Sequence, residues 1–366
     1  MIKKIIFSTL ITIFLIGCGS SDSETYVFDN ETEDNIDTVY RGVIEPYYTD
    51  YQWEFKSETV LPGIEPDANS KIEEAWQYNK GEKATIAIID TCFDMYHEDL
   101  PNNIIATYNI GDKTSNVQCD STRESHGVSV LGVVGAPNNG VGTIGVAPNA
   151  NYILISLPEY LTDLDIQEAF YFARDHGATV ISNSWTTGYT SDLEREVFQE
   201  LKNQGIVILF ACGNEGSSLD YSYIDYECED YNVLGIGSSN ELNRKASYSN
   251  YGINMDILAP SGEYGIITTD LTGPDGINQD PYRVLKDNDN YTFFAGTSAA
   301  TPIVAGIVGL MQTANENLSF YDIRDIIINN AEKIGITTEY DSNGFNIYYS
   351  YGKINALYSV EAALYY

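Results

Sequence analysis

Asp90, His126 and Ser298 are the residues whose types and surroundings point to chemistry. Asp90 follows the apolar run 85–89, which reads as a buried strand, so its carboxylate stands at a strand's carboxyl end, where open α/β sheets place their sites. His126 sits in Ser125-His126-Gly127 and opens an apolar helical pattern of Val128, Val130, Leu131, Val133 and Val134, whereas His97 and His176 have polar neighbours. Ser298 lies in the run 294–302, ahead of Ile303, Val304, Gly306, Ile307, Gly309 and Leu310. A serine there begins a buried helix of small residues, and the helix's first amides and dipole favour a negative charge developing nearby. A hydroxyl is a poor nucleophile at neutral pH and needs a base, for which His126 is the well-placed candidate. Singly, each has a plainer reading: Asp90 as a turn or cap residue, His126 as a satisfied core histidine, Ser298 as an N-cap. Together they describe nucleophilic catalysis.

The elements that must position them follow from periodicity. Short apolar runs at 85–89, 152–156, 180–182, 206–211, 233–237 and 257–259 alternate with helical patterns, the signature of a parallel sheet with crossover helices. Ile166, Ala169, Phe170 and Ala173 recur at helical spacing until Gly177 ends the pattern. Ser191 and Glu194 form a capping box that opens a second helix through Leu193, Val197 and Leu201 toward Gly205. No internal repeat is visible, and no second apolar segment is long enough to cross a membrane.

Asp90-Thr91-Cys92, His126-Gly127 and Gly296-Thr297-Ser298-Ala299-Ala300-Thr301-Pro302, in that order, are similar to the three active-site signatures of the subtilisin-like serine proteases. Similarity runs over roughly residues 71 to 335, and the element around Ser298 is the most specific. The resemblance implies a three-layer α/β fold with a central, mostly parallel sheet flanked by helices. It also implies a serine endopeptidase acting on protein or peptide substrates through an acyl-enzyme, with Ser298 as nucleophile, His126 as base and Asp90 orienting the imidazole. Ala211-Cys212-Gly213-Asn214-Glu215-Gly216 matches the family's oxyanion element, which gives Asn214 that role. Ser184, Trp185 and Gly213 fall on the edges where the family pairs its substrate as an added strand, with 157–159 on the opposite edge. His97-Glu98-Asp99-Leu100 and the loop 137–143 resemble the family's calcium loop, with Asp99, the Asn139 side chain and the carbonyls of Pro137, Val141 and Thr143 as oxygen ligands for a structural Ca²⁺. A plain glycine-rich loop is the other reading of that segment.

The sequence departs from the family at several points. Cys92 and Thr186 stand where glycine is usual, Ala299 replaces a usual methionine, and Val128 and Leu131 replace a commoner Thr and Ala. None of these removes a catalytic group. Two other functions fit parts of the pattern: a catalytically silent envelope lipoprotein that binds peptides in the same groove, and an esterase. The retained catalytic positions count against the first. The absence of a Gly-x-Ser-x-Gly elbow and the order Asp, His, Ser count against the second.

The chain's ends and overall charge set its compartment. Lys3 and Lys4 precede an apolar run, 5–16, too short to span a bilayer, and the run ends in Leu15-Ile16-Gly17-Cys18. That tetrad resembles a bacterial lipobox, so residues 1–17 read as a lipoprotein signal peptide, with Cys18 lipidated and the protein anchored in the cell envelope, periplasmic or surface-exposed. Residues 18–46 read as an acidic disordered tether, 47–70 as an aromatic-rich N-terminal extension, and 71–366 as the peptidase domain. With 53 acidic against 19 basic residues, the net charge of −34 argues against a nucleic-acid partner. The protein is read as a monomer. An exported chain can form disulfides. Cys92, Cys119, Cys212 and Cys228 allow three pairings, of which Cys92 with Cys119 and Cys212 with Cys228 are favoured, and no CxxC spacing suggests zinc.

Overall fold

The computed structural model describes residues 43–56, 63–120, 125–222, 224–277 and 290–366. The expected signal peptide, Cys18 and residues 18–42 of the expected tether lie outside the described residues, as do residues 57–62 of the extension. Seven strands form the central sheet: β1 (Thr85–Asp90), β2 (Ile104–Asn109), β3 (Asn151–Ser156), β4 (Val180–Asn183), β5 (Val207–Ala211), β6 (Leu234–Ser239) and β7 (Ile257–Pro260). They lie in the order β2-β3-β1-β4-β5-β6-β7, and every pairing within this sheet is parallel. A parallel sheet is covered on both faces, which is why the inner strands are apolar without alternation. In β1 the residues nonetheless divide: Ile86 and Ile88 enter one hydrophobic core, Ala87 and Ile89 the other. Helices on the two faces complete three layers.

On one face, α3 (His126–Gly135) packs beside α6 (Thr297–Ala314), a helix of small and apolar residues that contacts β1, β4, β5, β6 and β7. Nearly all of α6 is buried, so Gly and Ala are needed where it lies closest to its neighbours; a Cβ on Gly306 would come within 2.6 Å of Val146. On the other face lie α4 (Asp163–Asp175) and α5 (Asp192–Asn203), each opened by a capping box, Thr162 with Asp165 and Ser191 with Glu194. α7 (Phe320–Asn329) and α8 (Ala356–Tyr365) close the chain. Among the described residues no helix is long and apolar enough to cross a membrane.

Strand β2 and the separate antiparallel pair β8 (Ile266–Thr269) and β9 (Tyr291–Phe294) were not expected from the sequence. β2 is an edge strand, and its partly exposed Ile-Ile-Ala-Thr-Tyr-Asn run lacks the buried apolar signal of the inner strands. The aromatic residues before α2 (Ile72–Ala75) sit inside the molecule: Tyr48, Trp53 and Phe55 are buried in the core that includes Ile72 and Trp76, and the Trp53 indole donates to the Gly265 carbonyl at 3.3 Å.

Candidate active site

The strand order turns at β1: the chain leaves it toward β2 and β3 on one side and returns through β4 to β7 on the other. Such a reversal opens a crevice at the strands' carboxyl ends, where Asp90, Leu157, Ser184 and Gly213 all emerge. Asp90 ends β1 and is only 2% exposed. Its Oδ1 lies 2.8 Å from His126 Nδ1 and accepts the Thr91 amide at 2.7 Å. His126 is the first residue of α3, and its ring meets the Phe294 ring edge-on at 5.2 Å. α3 can start so close to β1 because residue 127 is glycine: a Cβ there would stand 2.5 Å from the Cys92 carbonyl.

Ser298 is the second residue of α6. Its hydroxyl donates to the Ser184 carbonyl at 3.2 Å, and the Ser184 hydroxyl donates to the Ser298 carbonyl at 2.8 Å, which ties the first turn of α6 to the exit of β4. Asn214 follows β5, and its Oδ1 accepts the amide and the hydroxyl of Thr297 at 2.8 and 3.1 Å. That contact fixes the amide plane, with Nδ2 beside Gly296; Gly296 has φ +96 and a Cβ on it would come 3.2 Å from Nδ2. The Gly213 amide donates to the Thr297 hydroxyl at 3.2 Å, and Trp185 anchors its indole on the Ile89 carbonyl at 2.8 Å. The structure thus gathers Asp90 with His126, and Ser298 with Ser184, Gly213 and Asn214 through Thr297. Cys92 is joined to Cys119 and Cys212 to Cys228, with Cα atoms 5.0 and 5.4 Å apart. One bridge starts two residues beyond Asp90, the other two residues before Asn214.

Behind the turn that carries Ser298 lies a set of hydroxyls that no sequence motif singled out. The Tyr248 hydroxyl accepts the Gly296 amide at 3.0 Å, donates to the Gly262 carbonyl at 2.7 Å, and lies 3.0 and 2.9 Å from the Ser261 and Ser238 hydroxyls. Ser261 in turn donates to the Gly296 carbonyl at 2.9 Å. Burial pushes the Tyr248 phenol up to about 12, so it stays a neutral donor.

The expected calcium loop is folded around Asp99. Asp99 Oδ2 accepts the amide and hydroxyl of Thr143 at 2.9 and 3.2 Å, and Asn139 Oδ1 accepts the Val141 amide at 2.9 Å. The Pro137 carbonyl accepts the Asn139 amide at 3.1 Å. Glu45 joins this group unannounced, its Oε1 accepting the Gly140 amide at 2.8 Å. Burial, with the neighbouring charge of Glu45 adding to it, pushes the Asp99 carboxyl up to about 8, and burial also raises that of Glu45. Asp99 Oδ1 and Glu45 Oε2 are buried and find no hydrogen-bond partner among the described residues. Two such oxygens beside a loop of carbonyls suit a hard cation. Among the described residues no three His, Cys, Asp or Glu side chains cluster for a metal, so an ion here would rest on two carboxylates, the Asn139 side chain and main-chain oxygens.

Residues 81–352 match the Subtilase family, and the chain belongs to that family. It is 32% identical over 345 residues to the calcium-dependent protease of Trichormus variabilis, a match that takes in 86% of this chain and 51% of the relative. It is 30% identical over 294 residues to thermitase of Thermoactinomyces vulgaris, covering 79% of this chain and 92% of that one. Among solved structures, fervidolysin from Fervidobacterium pennivorans superposes with a TM-score of 0.65 at 25% identity, over 80% of this chain and 44% of that one. A protease of Pseudoalteromonas arctica superposes with a TM-score of 0.69 at 22% identity, over 88% and 99%, and shares the fold. The chain spans about half the length of the calcium-dependent proteases that it matches.

Proposed function

We propose that this chain is a serine endopeptidase that cleaves peptide bonds in proteins through an acyl-enzyme. The observation that carries the reading is the 2.8 Å contact of His126 Nδ1 with the buried Asp90 carboxylate, with Ser298 in the first turn of α6, which packs beside the helix that His126 opens. A carboxylate on Nδ1 holds the proton there and leaves Nε2 as the basic nitrogen. Nε2 takes the Ser298 proton as Oγ bonds to the scissile carbonyl carbon; the same proton then passes to the leaving amine as the C–N bond breaks. Water attacks the ester in the second half, with His126 again the base, and Ser298 is regenerated. The tetrahedral oxyanion is met by the Ser298 amide, a first-turn donor without an intrahelical acceptor, and by Asn214 Nδ2, which the Thr297 contacts on Oδ1 leave free to donate. Fixed before substrate arrives, these half-buried donors favour the charge of the transition state over the neutral ground state.

The calcium reading belongs to the same proposal. Asp99, Glu45, Asn139 and the carbonyls of Pro137, Val141 and Thr143 would hold the ion, whose chemistry there is to neutralise two buried carboxylates and cross-link residues 45, 99 and 137–143. Lipid anchoring through Cys18, export to the envelope and a monomeric state complete it. A fluorophosphonate probe is expected to label the purified chain and to leave Ser298→Ala unlabelled; equal labelling of the two removes Ser298 from the nucleophile's role.

A further inference from the structure

Glu227 has no part in the chemistry above, yet it is fully buried and its carboxylate is saturated with donors from one place. Oε2 accepts the Thr186 hydroxyl at 2.5 Å, and Oε1 accepts the Thr187 amide and hydroxyl at 2.7 and 2.6 Å. Those residues continue the segment Ser184-Trp185 that leaves β4, forty residues away in the chain. A desolvated carboxylate is costly unless hydrogen bonds of this kind compensate it. Its two neighbours reach the other side of the crevice. Cys228 is bridged to Cys212, which leaves β5 just before Gly213 and Asn214. The Tyr226 hydroxyl donates to Glu215 Oε2 at 3.1 Å, and its ring stands 3.1 Å from where a Gly213 Cβ would be.

β4 and β5 are adjacent and in register up to Asn183 opposite Phe210. Ladder hydrogen bonds hold neighbouring strands about 4.8 Å apart, but beyond that register the ladder no longer sets the spacing of the two exits. The turn 226–228 binds both exits, one through Glu227 and the other through Cys228 and Tyr226. We infer that this turn is a clasp fixing the gap between segments 184–187 and 212–215, and that Glu227 is a positioning residue through which the enzyme selects the substrate side chain next to the scissile bond. The inference rests on the peptidase reading, because that reading makes the two segments the walls of the substrate crevice.

The test compares the unmodified chain with Glu227→Ala, Glu227→Gln and Thr187→Ala. Thr187 is exposed, so its substitution removes one clasp donor from a chain that still folds. Two readouts are taken on each: the labelling rate of a small methyl fluorophosphonate, which reports Ser298, its base and the oxyanion donors without a substrate side chain, and KM and kcat on a peptide series varied only at the residue before the scissile bond. Glu227→Ala is expected to raise KM about tenfold for the preferred side chain and to flatten the series, with labelling and kcat nearly unchanged. Thr187→Ala shifts the series in the same direction by less. Glu227→Gln, which keeps an acceptor for the Thr187 amide and offers a donor to the Thr186 hydroxyl, restores selection. An unchanged series in folded Glu227→Ala and Thr187→Ala overturns the clasp, as does a parallel loss of labelling and selection, which marks general damage. If the unmodified chain resists labelling, the peptidase reading fails and takes the inference with it.

Discussion

Removing one oxygen from Tyr248 isolates what holds the nucleophile's turn in place. Tyr248→Phe keeps the ring and deletes the hydroxyl that the Gly296 amide donates to and that itself donates to Gly262. Both partners are buried. An N–H left without an acceptor inside a protein costs about 1–3 kcal/mol, and the Gly262 carbonyl adds a smaller penalty, so the loss is on the order of 2–4 kcal/mol. Ser238 and Ser261 still bond each other at 2.5 Å and contribute little to it. At about 1–2 °C per kcal/mol for a chain of this size, the melting temperature should fall by on the order of 5 °C. The rate should fall as well, because the Gly296 amide precedes the Thr297 amide that holds Asn214; a shift of a few tenths of an ångström there moves an oxyanion donor, and kcat should drop by about tenfold or more. Differential scanning fluorimetry and peptide hydrolysis measured on one preparation check both numbers. A melting temperature within a degree of the parent refutes the hydrogen-bond accounting. Lower stability with an unaltered kcat refutes the link between this hydroxyl and the oxyanion donor.

Asn214→Ala should lower kcat by about 10²–10³ with little change in KM, the cost of one oxyanion donor; a loss confined to KM assigns the side chain to ground-state binding instead. Titrating a calcium chelator into the chain should lower its melting temperature, and Glu45→Gln should reduce that shift, since it removes one of the two buried carboxylates offered to the ion; a chelator that leaves the melting curve in place removes calcium from the proposal. Burial pushes the Glu54 carboxyl up to about 8 from its ordinary 4.5, so between those values the native state holds more protons than the unfolded one and stability declines as pH rises. With calcium saturating, unfolding free energy measured by denaturant from pH 5 to 8 should fall less steeply in Glu54→Gln, and equal slopes would show that Glu54 ionises freely in the folded chain.

The sequence by itself determined the elements whose signal is local. Inner strands such as β1 and β5 are buried on both faces and read as near-continuous apolar runs, and α5 announces its start through Ser191 and Glu194 because a capping box is closed within four residues. The Gly-Thr-Ser run at 296–298 was legible through its resemblance to a family signature, and the structure shows a turn there with Gly296 at φ +96 that leads into a crowded helix. What brings Asp90 to 2.8 Å from His126, or Asn214 under Thr297, is sheet order, and sheet order depends on contacts between segments tens of residues apart that leave no mark in either segment alone. Tyr248, Glu45 and Glu227 show the same limit from the other side. Each looks like an ordinary surface or linker residue in its own stretch of chain, and only the folded structure buries its polar end against partners from elsewhere, because desolvation and hydrogen bonding are properties of the assembled surroundings and not of the residue.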